Sequence, residues 1–354
     1  MKLAFLFPGQ GAQAVGMGMA LADAFPEARV TFATADRVLG FALSNVCWNG
    51  PAEELKKSVN TQPALLAHSV AAFRLVEAAG LTPAYVAGHS LGEYSACVAA
   101  GALSFEDALT LTRTRGRLMY EAGLARPGAM AAILGLSPEA VEAACAEAAP
   151  AGVVRAANLN APGQVVISGE PAAVDAACDK AKARGAKRAI KLEVSGAFHS
   201  PLMQPAAAGL SEALSKVTIR DARCPVISNA WAKPMQDAKS IRRALEEQLL
   251  SSVRWEESMR FLLAHGVEGF IELGTGKVLR GLLRTLDAKA PSWNVEDPDS
   301  LQATRAARRS ASSPATPRGP RRPPRPSARA GGRRRPTPPT SPTPRRSTPR
   351  SRRR

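Results

Sequence analysis

Val86-Ala87-Gly88-His89-Ser90-Leu91-Gly92-Glu93-Tyr94, VAGHSLGEY, decides how the rest of the chain is read. Gly-x-Ser-x-Gly arises by chance in any Gly- and Ala-rich sequence, so its surroundings must restrict it. Residues 84–87 (AYVA) read as a short buried strand, and the segment after the serine (EYSACVAAG) reads as a helix. A strand turning sharply through a serine into a helix exposes the hydroxyl at the helix N-terminus. There, backbone N–H groups and the helix dipole favour developing negative charge. The flanking glycines let strand and helix approach closely. Ser90 is therefore the candidate nucleophile of an α/β-hydrolase-like layer, and an acyl group on it has two destinations, water or another thiol.

Working outward, strand-like and helix-like segments alternate through the first 125 residues, which predicts a mainly parallel sheet. Lys2 to Phe7 is the first strand, and residues 63–79 form a helix closed by Gly80 and Pro83. Ser104-Phe105-Glu106-Asp107 opens a further helix with a capping-box pattern, ended by Gly123 and Pro127. Beyond Pro127 the order changes to strand (GAMAAILGL), helix (SPEAVEAACAEA), a hairpin around Asn160-Ala161-Pro162-Gly163, helix (PAAVDAACDKAKARG) and strand (AIKLEV). That order, βαββαβ, is the ferredoxin-like α+β unit. From Pro201 to about Asp299 the α/β pattern resumes, with PVISN and GFIELG as strands. The expected organisation is a discontinuous α/β-hydrolase-like domain (1–125 and 199–303), interrupted by a ferredoxin-like subdomain (126–198) and followed by a tail (304–354).

The chain of 354 residues has a formal net charge of +17, which would suggest a nucleic-acid partner if the charge were spread over the fold. It is not. Residues 304–354 use only Arg, Pro, Ser, Thr, Ala and Gly and hold 17 arginines, leaving 30 basic against 30 acidic residues in the rest. The tail lacks any aliphatic or aromatic residue larger than Ala apart from Pro, so it is expected to be disordered. Its abrupt onset and GC-rich codon set point to a frameshifted terminus. Any nucleic-acid binding by it would be non-specific and salt-dependent. Five scattered cysteines without a C-x-x-C pair suit a reducing cytoplasm and offer no metal site. No run approaches the roughly 20 apolar residues that span a membrane, and the short N-terminal apolar run stops at Pro8, too early for a signal peptide.

A serine needs a base, and the histidines are His68, His89, His199 and His265. His89 adjoins the nucleophile, His68 lies inside an apolar helix, and His265 sits at a helix end. His199, in the loop SGAFHS where the inserted unit rejoins the main domain, is the base by elimination. No Asp occupies an obvious strand-end turn between Ser90 and His199, where hydrolases of this architecture carry their acid, so a Ser-His dyad oriented by a backbone carbonyl is expected. In FPGQGAQA, Gly9, Gly11 and Ala14 match a relaxed dinucleotide fingerprint, but Pro8 interrupts the turn and nucleotide binding is not expected. The Gln10 amide is instead a candidate oxyanion donor beside the Leu91 N–H. Arg113 and Arg117 read as solvated. Arg115 precedes Gly116, which is costly in a helix unless something packs closely there, and a buried guanidinium fork would bind a carboxylate bidentately.

Taken together, FPGQGAQ, GPAEEL, TQPALL, AGHSLGEYSA, Arg115-Gly116, GAMAAILGL, NLNAPGQVVISG, GAFHS, VRW and ELGTGKVL resemble, in order and spacing, the malonyl-CoA:acyl carrier protein transacylases and the acyltransferase domains of polyketide synthases. The resemblance covers Met1 to about Thr304. It implies a malonyl-Ser90 intermediate, His199 as base and then acid, an oxyanion hole from Gln10 and the Leu91 amide, and the Gln248 main-chain carbonyl orienting His199. It further implies Arg115 on the malonyl carboxylate, with Gln62, Asn160 and Phe198 at the substrate. Leu91 and Phe198 match the malonyl-selective pattern, where methylmalonyl-type domains carry Gln and Ser. The implied partners are malonyl-CoA and an acidic acyl carrier protein, with Lys187, Arg188, Lys191 and Lys277 as candidate docking residues and no cofactor, acting as a monomer. Two other readings stay open: a serine esterase or thioesterase using the same elbow, and a nucleic-acid-binding protein driven by the tail.

Overall fold

The computed structural model of the chain describes residues 1–312 except Ser195 and Ala288. Residues Met1–Ser312 form one compact unit. Its strands are β1 (Leu3–Phe7), β2 (Tyr85–Gly88), β3 (Ala129–Leu134), β4 (Val154–Ala161), β5 (Gln164–Gly169), β6 (Arg188–Lys191), β7 (Val226–Ile227), β8 (Pro234–Met235), β9 (Gly269–Leu273) and β10 (Ser292–Val295).

The larger sheet has the order β10-β9-β1-β2-β7-β8 and is parallel apart from the last pairing. β1 shows why its sequence is uniformly apolar. Leu3, Phe5 and Phe7 enter one core cluster, with the helices Ser58–Ala78 and Phe105–Ala125, while Ala4 and Leu6 enter another with Trp255, Met259 and Leu283. A strand covered on both faces has no polar side to present, so it shows no alternation of apolar and polar residues. The smaller sheet has the order β4-β5-β3-β6, antiparallel throughout, and packs on the helices Pro138–Ala148 and Pro171–Ala183. This is the ferredoxin-like arrangement read from the sequence. Val253, just ahead of the helix Trp255–Ala264, is tied to β4 of the smaller sheet: its N–H donates to Ala157 O at 2.8 Å, and its carbonyl accepts from Leu159 N at 2.9 Å.

Two helices depart from the sequence reading. The helix expected at 63–79 starts at Ser58, with Pro63 inside it. Proline has no N–H for the carbonyl four residues back, and Arg113 Nη1 takes that carbonyl, Val59 O, at 2.8 Å. Arg113 is thus tied to the Ser58–Ala78 helix instead of being free in solvent. Second, residues 304–312 are not the start of a disordered tail, because Pro298–Ser312 is one helix. Asp297 Oδ1 caps it by accepting the Ser300 N–H at 2.7 Å, and Leu301 and Thr304, one turn apart, are buried. Ala and Arg are good helix formers, so the low-complexity composition did not oppose this turn. The rest of the expected tail, 313–354, lies outside the described residues.

Gly116 marks the closest approach of the two long helices. A Cβ there would stand 2.3 Å from Ser58 O, so only glycine lets the Phe105–Ala125 helix press against the start of its neighbour. That contact sets the depth of Arg115, the residue before it.

Candidate active site

The elbow follows β2 directly: Ser90 adopts φ 51° between the strand and the helix Gly92–Ala99. A left-handed non-glycine residue costs of order 1–3 kcal/mol unless its surroundings impose it. Here amide side chains grip both of its backbone groups. Asn229 Oδ1 accepts the Ser90 N–H at 2.6 Å, and Gln248 Nε2 donates to the Ser90 carbonyl at 2.8 Å. A Cβ on Gly92 would meet Phe7 O at 2.1 Å, and one on Gly9 would meet His89 O at 2.4 Å. Glycines thus bring the loop after β1 against the elbow, setting Gln10 beside Ser90 at the cavity wall.

His199 Nε2 lies 2.8 Å from Ser90 Oγ. Its other nitrogen, Nδ1, is 3.1 Å from both Gln248 O and Ser251 O. Carbonyls only accept, so Nδ1 carries the proton and Nε2 is left as the acceptor for the serine hydroxyl. Burial first, and then the Arg115 charge, hold the imidazole far below its usual range, at about 3, so the ring is neutral and competent as a base. Among the described residues no carboxylate bonds to His199, and main-chain carbonyls occupy the place of a triad acid.

Arg115 is 1 % exposed. Its Nη1 donates to Gln62 Oε1 at 2.8 Å, and its Nη2 donates to Gln248 Oε1 at 3.0 Å and to Ser90 Oγ at 3.1 Å. Nε is buried without a hydrogen-bond acceptor, and no salt bridge involves this guanidinium among the described residues. A buried cation without a paired anion is poised to take one.

These groups border a cavity of about 460 Å³ lined by Gln10, Leu91, Arg115, Phe198 and the two dyad residues, among others. The Leu91 and Gln10 main-chain N–H groups have no protein acceptor among the described residues. Three expected contacts differ in detail. The Gln10 side-chain amide, expected at an oxyanion, donates one of its N–H groups to Ser58 Oγ at 3.1 Å, and the Gln10 main-chain N–H is a further donor without a protein acceptor among the described residues. Gln62, expected at the substrate, is 0 % exposed and lies behind the cavity wall, where Met119 and Arg115 consume both ends of its amide. Asn160 does border the cavity, but its Oδ1 bonds His89 Nε2 at 2.8 Å.

The remaining histidines are accounted for locally. His68 bonds Thr275 Oγ1 at 2.7 Å and Glu296 O at 3.0 Å, and His265 stacks on Phe261. Among the described residues no cluster of three or more His, Cys, Asp or Glu could hold a metal, and no helix is long and apolar enough to cross a membrane. Sequence reading missed Asn229 and Glu93. Asn229 stands just past the end of β7, beside β2, where polar residues at the carboxyl ends of parallel strands gather around a site. Glu93 is within the quoted stretch, yet nothing in the sequence shows that it is 0 % exposed.

The profile of the acyl transferase domain family matches residues 4–297. The malonyl CoA-acyl carrier protein transacylase of Bacillus subtilis (strain 168) is 50% identical over 302 residues, covering 85% of this chain and 95% of that protein. Among solved structures, the acyl carrier protein S-malonyltransferase of Vibrio cholerae is 46% identical, with a TM-score of 0.83 over 86% of this chain and 100% of its own. A malonyl-transacylase solved in complex with its type II PKS acyl-carrier protein is 44% identical, with a TM-score of 0.84 over 87% of this chain and 100% of its own. With a matched segment spanning most of the chain and relatives of this identity, the chain belongs to the acyl transferase domain family.

Proposed function

We propose that the protein is a malonyl-CoA:acyl carrier protein transacylase, moving malonyl from CoA to the phosphopantetheine thiol of an acyl carrier protein through a malonyl-Ser90 ester. The observation that carries this reading is the buried, anion-free Arg115 guanidinium donating to the nucleophile itself. A hydrolase acting on neutral esters has no use for such a cation, whereas a malonyl group brings the carboxylate it lacks.

In the first half-reaction Ser90 Oγ attacks the thioester carbonyl while its proton passes to His199 Nε2. The Leu91 and Gln10 main-chain N–H groups receive the oxyanion. Collapse expels the CoA thiolate, which takes the proton back from His199. The second half-reaction repeats these steps in reverse, with His199 deprotonating the carrier thiol, which attacks the ester and releases Ser90. Arg115 holds the carboxylate throughout, and Gln62 and Gln248 hold Arg115. Phe198 and Leu91 line the same cavity.

Leu192 and Val278 border the cavity and are 38 % and 52 % exposed, an apolar rim for the pantetheine arm. Lys191 and Lys277 adjoin them in sequence and suit an acidic carrier, while Arg188 opens the strand that Lys191 ends and Lys187 immediately precedes it. All of these groups come from one chain, which fits a monomer, and five free cysteines with no disulfide fit the cytoplasm. No step needs a cofactor. The product would supply fatty-acid synthesis, a carrier of polyketide synthesis being the second reading because one close structural relative is paired with such a carrier. Transfer of radiolabelled malonyl from CoA to purified holo-carriers of each kind tests the assignment, and release of free malonate in place of transfer would refute it.

A further inference from the structure

Glu93 is used by none of these steps, yet it is fully buried one turn after the nucleophile. Its carboxylate has two partners, Gln248 Nε2 at 2.6 Å and the Asn229 main-chain N–H at 3.3 Å. These are the same two residues that grip Ser90: Asn229 takes its N–H and donates to Gly88 O at 2.7 Å, and Gln248 takes its carbonyl. Gln248 also presents Oε1 to Arg115 and its main-chain carbonyl to His199. An amide side chain reads equally well in either orientation until a neighbour decides it. The Ser90 carbonyl only accepts and the Arg115 guanidinium only donates, so the NH2 end of Gln248 faces Ser90 and Glu93 and its oxygen faces Arg115; Glu93, whose carboxyl burial pushes up to about 8, supplies the second acceptor that holds that NH2 in place.

We propose that Glu93 is a positioning residue for acyl-group selection, fixing Gln248 so that Arg115 is held where a substrate carboxylate must bind. This rests on the malonyl-transfer reading above. Without Glu93 the Gln248 NH2 keeps only the Ser90 carbonyl as acceptor, the side chain is free to shift, and the Oε1 that holds Arg115 Nη2 shifts with it. The loss falls on substrates with a carboxylate more than on those without one, because only the former use Arg115.

The test compares transfer from malonyl-CoA and from acetyl-CoA by wild type, Glu93→Ala and Glu93→Gln. In Glu93→Ala the ratio of kcat/KM for malonyl over acetyl is expected to fall by roughly ten-fold or more, with a raised KM for malonyl-CoA. Glu93→Gln keeps an oxygen for Gln248 and is expected to recover part of that ratio. Glu93→Ala added to Gln248→Ala should then cost little more selectivity. A residue that only supports folding lowers both substrates equally and leaves KM alone; that result, or an unchanged ratio in Gln248→Ala if Glu93→Ala does not fold with Ser90 in place, overturns the proposal. Wild type that fails to transfer malonyl at all would overturn the function reading instead, so the two failures are distinguishable.

Discussion

Arg115 Nη2 stands 3.1 Å from Ser90 Oγ. The guanidinium therefore serves the nucleophile before substrate arrives, stabilising negative charge on the serine oxygen, and a malonyl carboxylate offers it a stronger partner afterwards. The two roles compete for one cation, which links acyl-group choice to acylation rate.

Replacing that cation separates the roles. Arg115→Ala is expected to lower malonyl transfer by roughly 100-fold or more while acetyl transfer falls far less, so that preference shifts toward uncharged acyl groups. Competition between malonyl-CoA and acetyl-CoA, read as the mass of the acylated protein, checks it. Unchanged malonyl preference would remove Arg115 from the pocket's function.

Ser90→Ala should abolish acylation, and His199→Ala should slow it by roughly 100- to 10,000-fold. Because burial and Arg115 keep His199 neutral down to about 3, the acid limb of single-turnover acylation should lie well below the usual histidine range. A limb centred near the ordinary histidine value would show that another group is the base.

His68 gives a stability prediction. Burial depresses its folded pKa to about 4, so between its unfolded value of about 6.5 and that point the unfolded chain binds the extra proton. Its contribution is intact above pH 6.5 and is lost as pH falls toward 4, by roughly 3 kcal/mol in all. Buried Glu272, pushed up to about 7, titrates with the opposite sign. The effect is therefore read as a difference: denaturation midpoints of His68→Gln should fall less between pH 6.5 and 4 than those of wild type. Parallel pH profiles would contradict it.

Gly92→Ala puts a methyl group 2.1 Å from Phe7 O, in the main chain of β1 where little can yield. The variant is expected to lose most acylation and to unfold at lower denaturant, both measurable on one preparation. By contrast, a chain ending at Ser312 keeps every site residue named here and is expected to transfer malonyl at the full-length rate, whereas a nucleic-acid-binding role carried by the tail would disappear with it.

Much of this was legible because the relevant signals are local. The strand, Gly-x-Ser-x-Gly and helix order gave the elbow, the βαββαβ order gave the smaller sheet, and the absence of an acid between Ser90 and His199 gave a dyad. What escaped depends on distance in sequence. Asn229 meets Ser90 from 139 residues away, and no pattern along the chain announces such a meeting; Gln248, 158 residues off, entered only through the family resemblance and for its main-chain carbonyl, not for the side chain that bonds Ser90. The bond between the Gln10 side chain and Ser58, 48 residues off, escaped for the same reason. Residues 304–312 were read by composition as tail, although burial of Leu301 and, one turn on, of Thr304, whose hydroxyl donates to Asn294 O at 3.2 Å, seats the helix.

The most direct measurement is intact mass and peptide mapping after mixing the protein with malonyl-CoA alone, followed by addition of holo-acyl carrier protein. A malonyl adduct on the Ser90 peptide that persists and then moves to the carrier is the expected result. Rapid CoA release with free malonate and no adduct would mean that water takes the acyl group, and would contradict the transferase assignment.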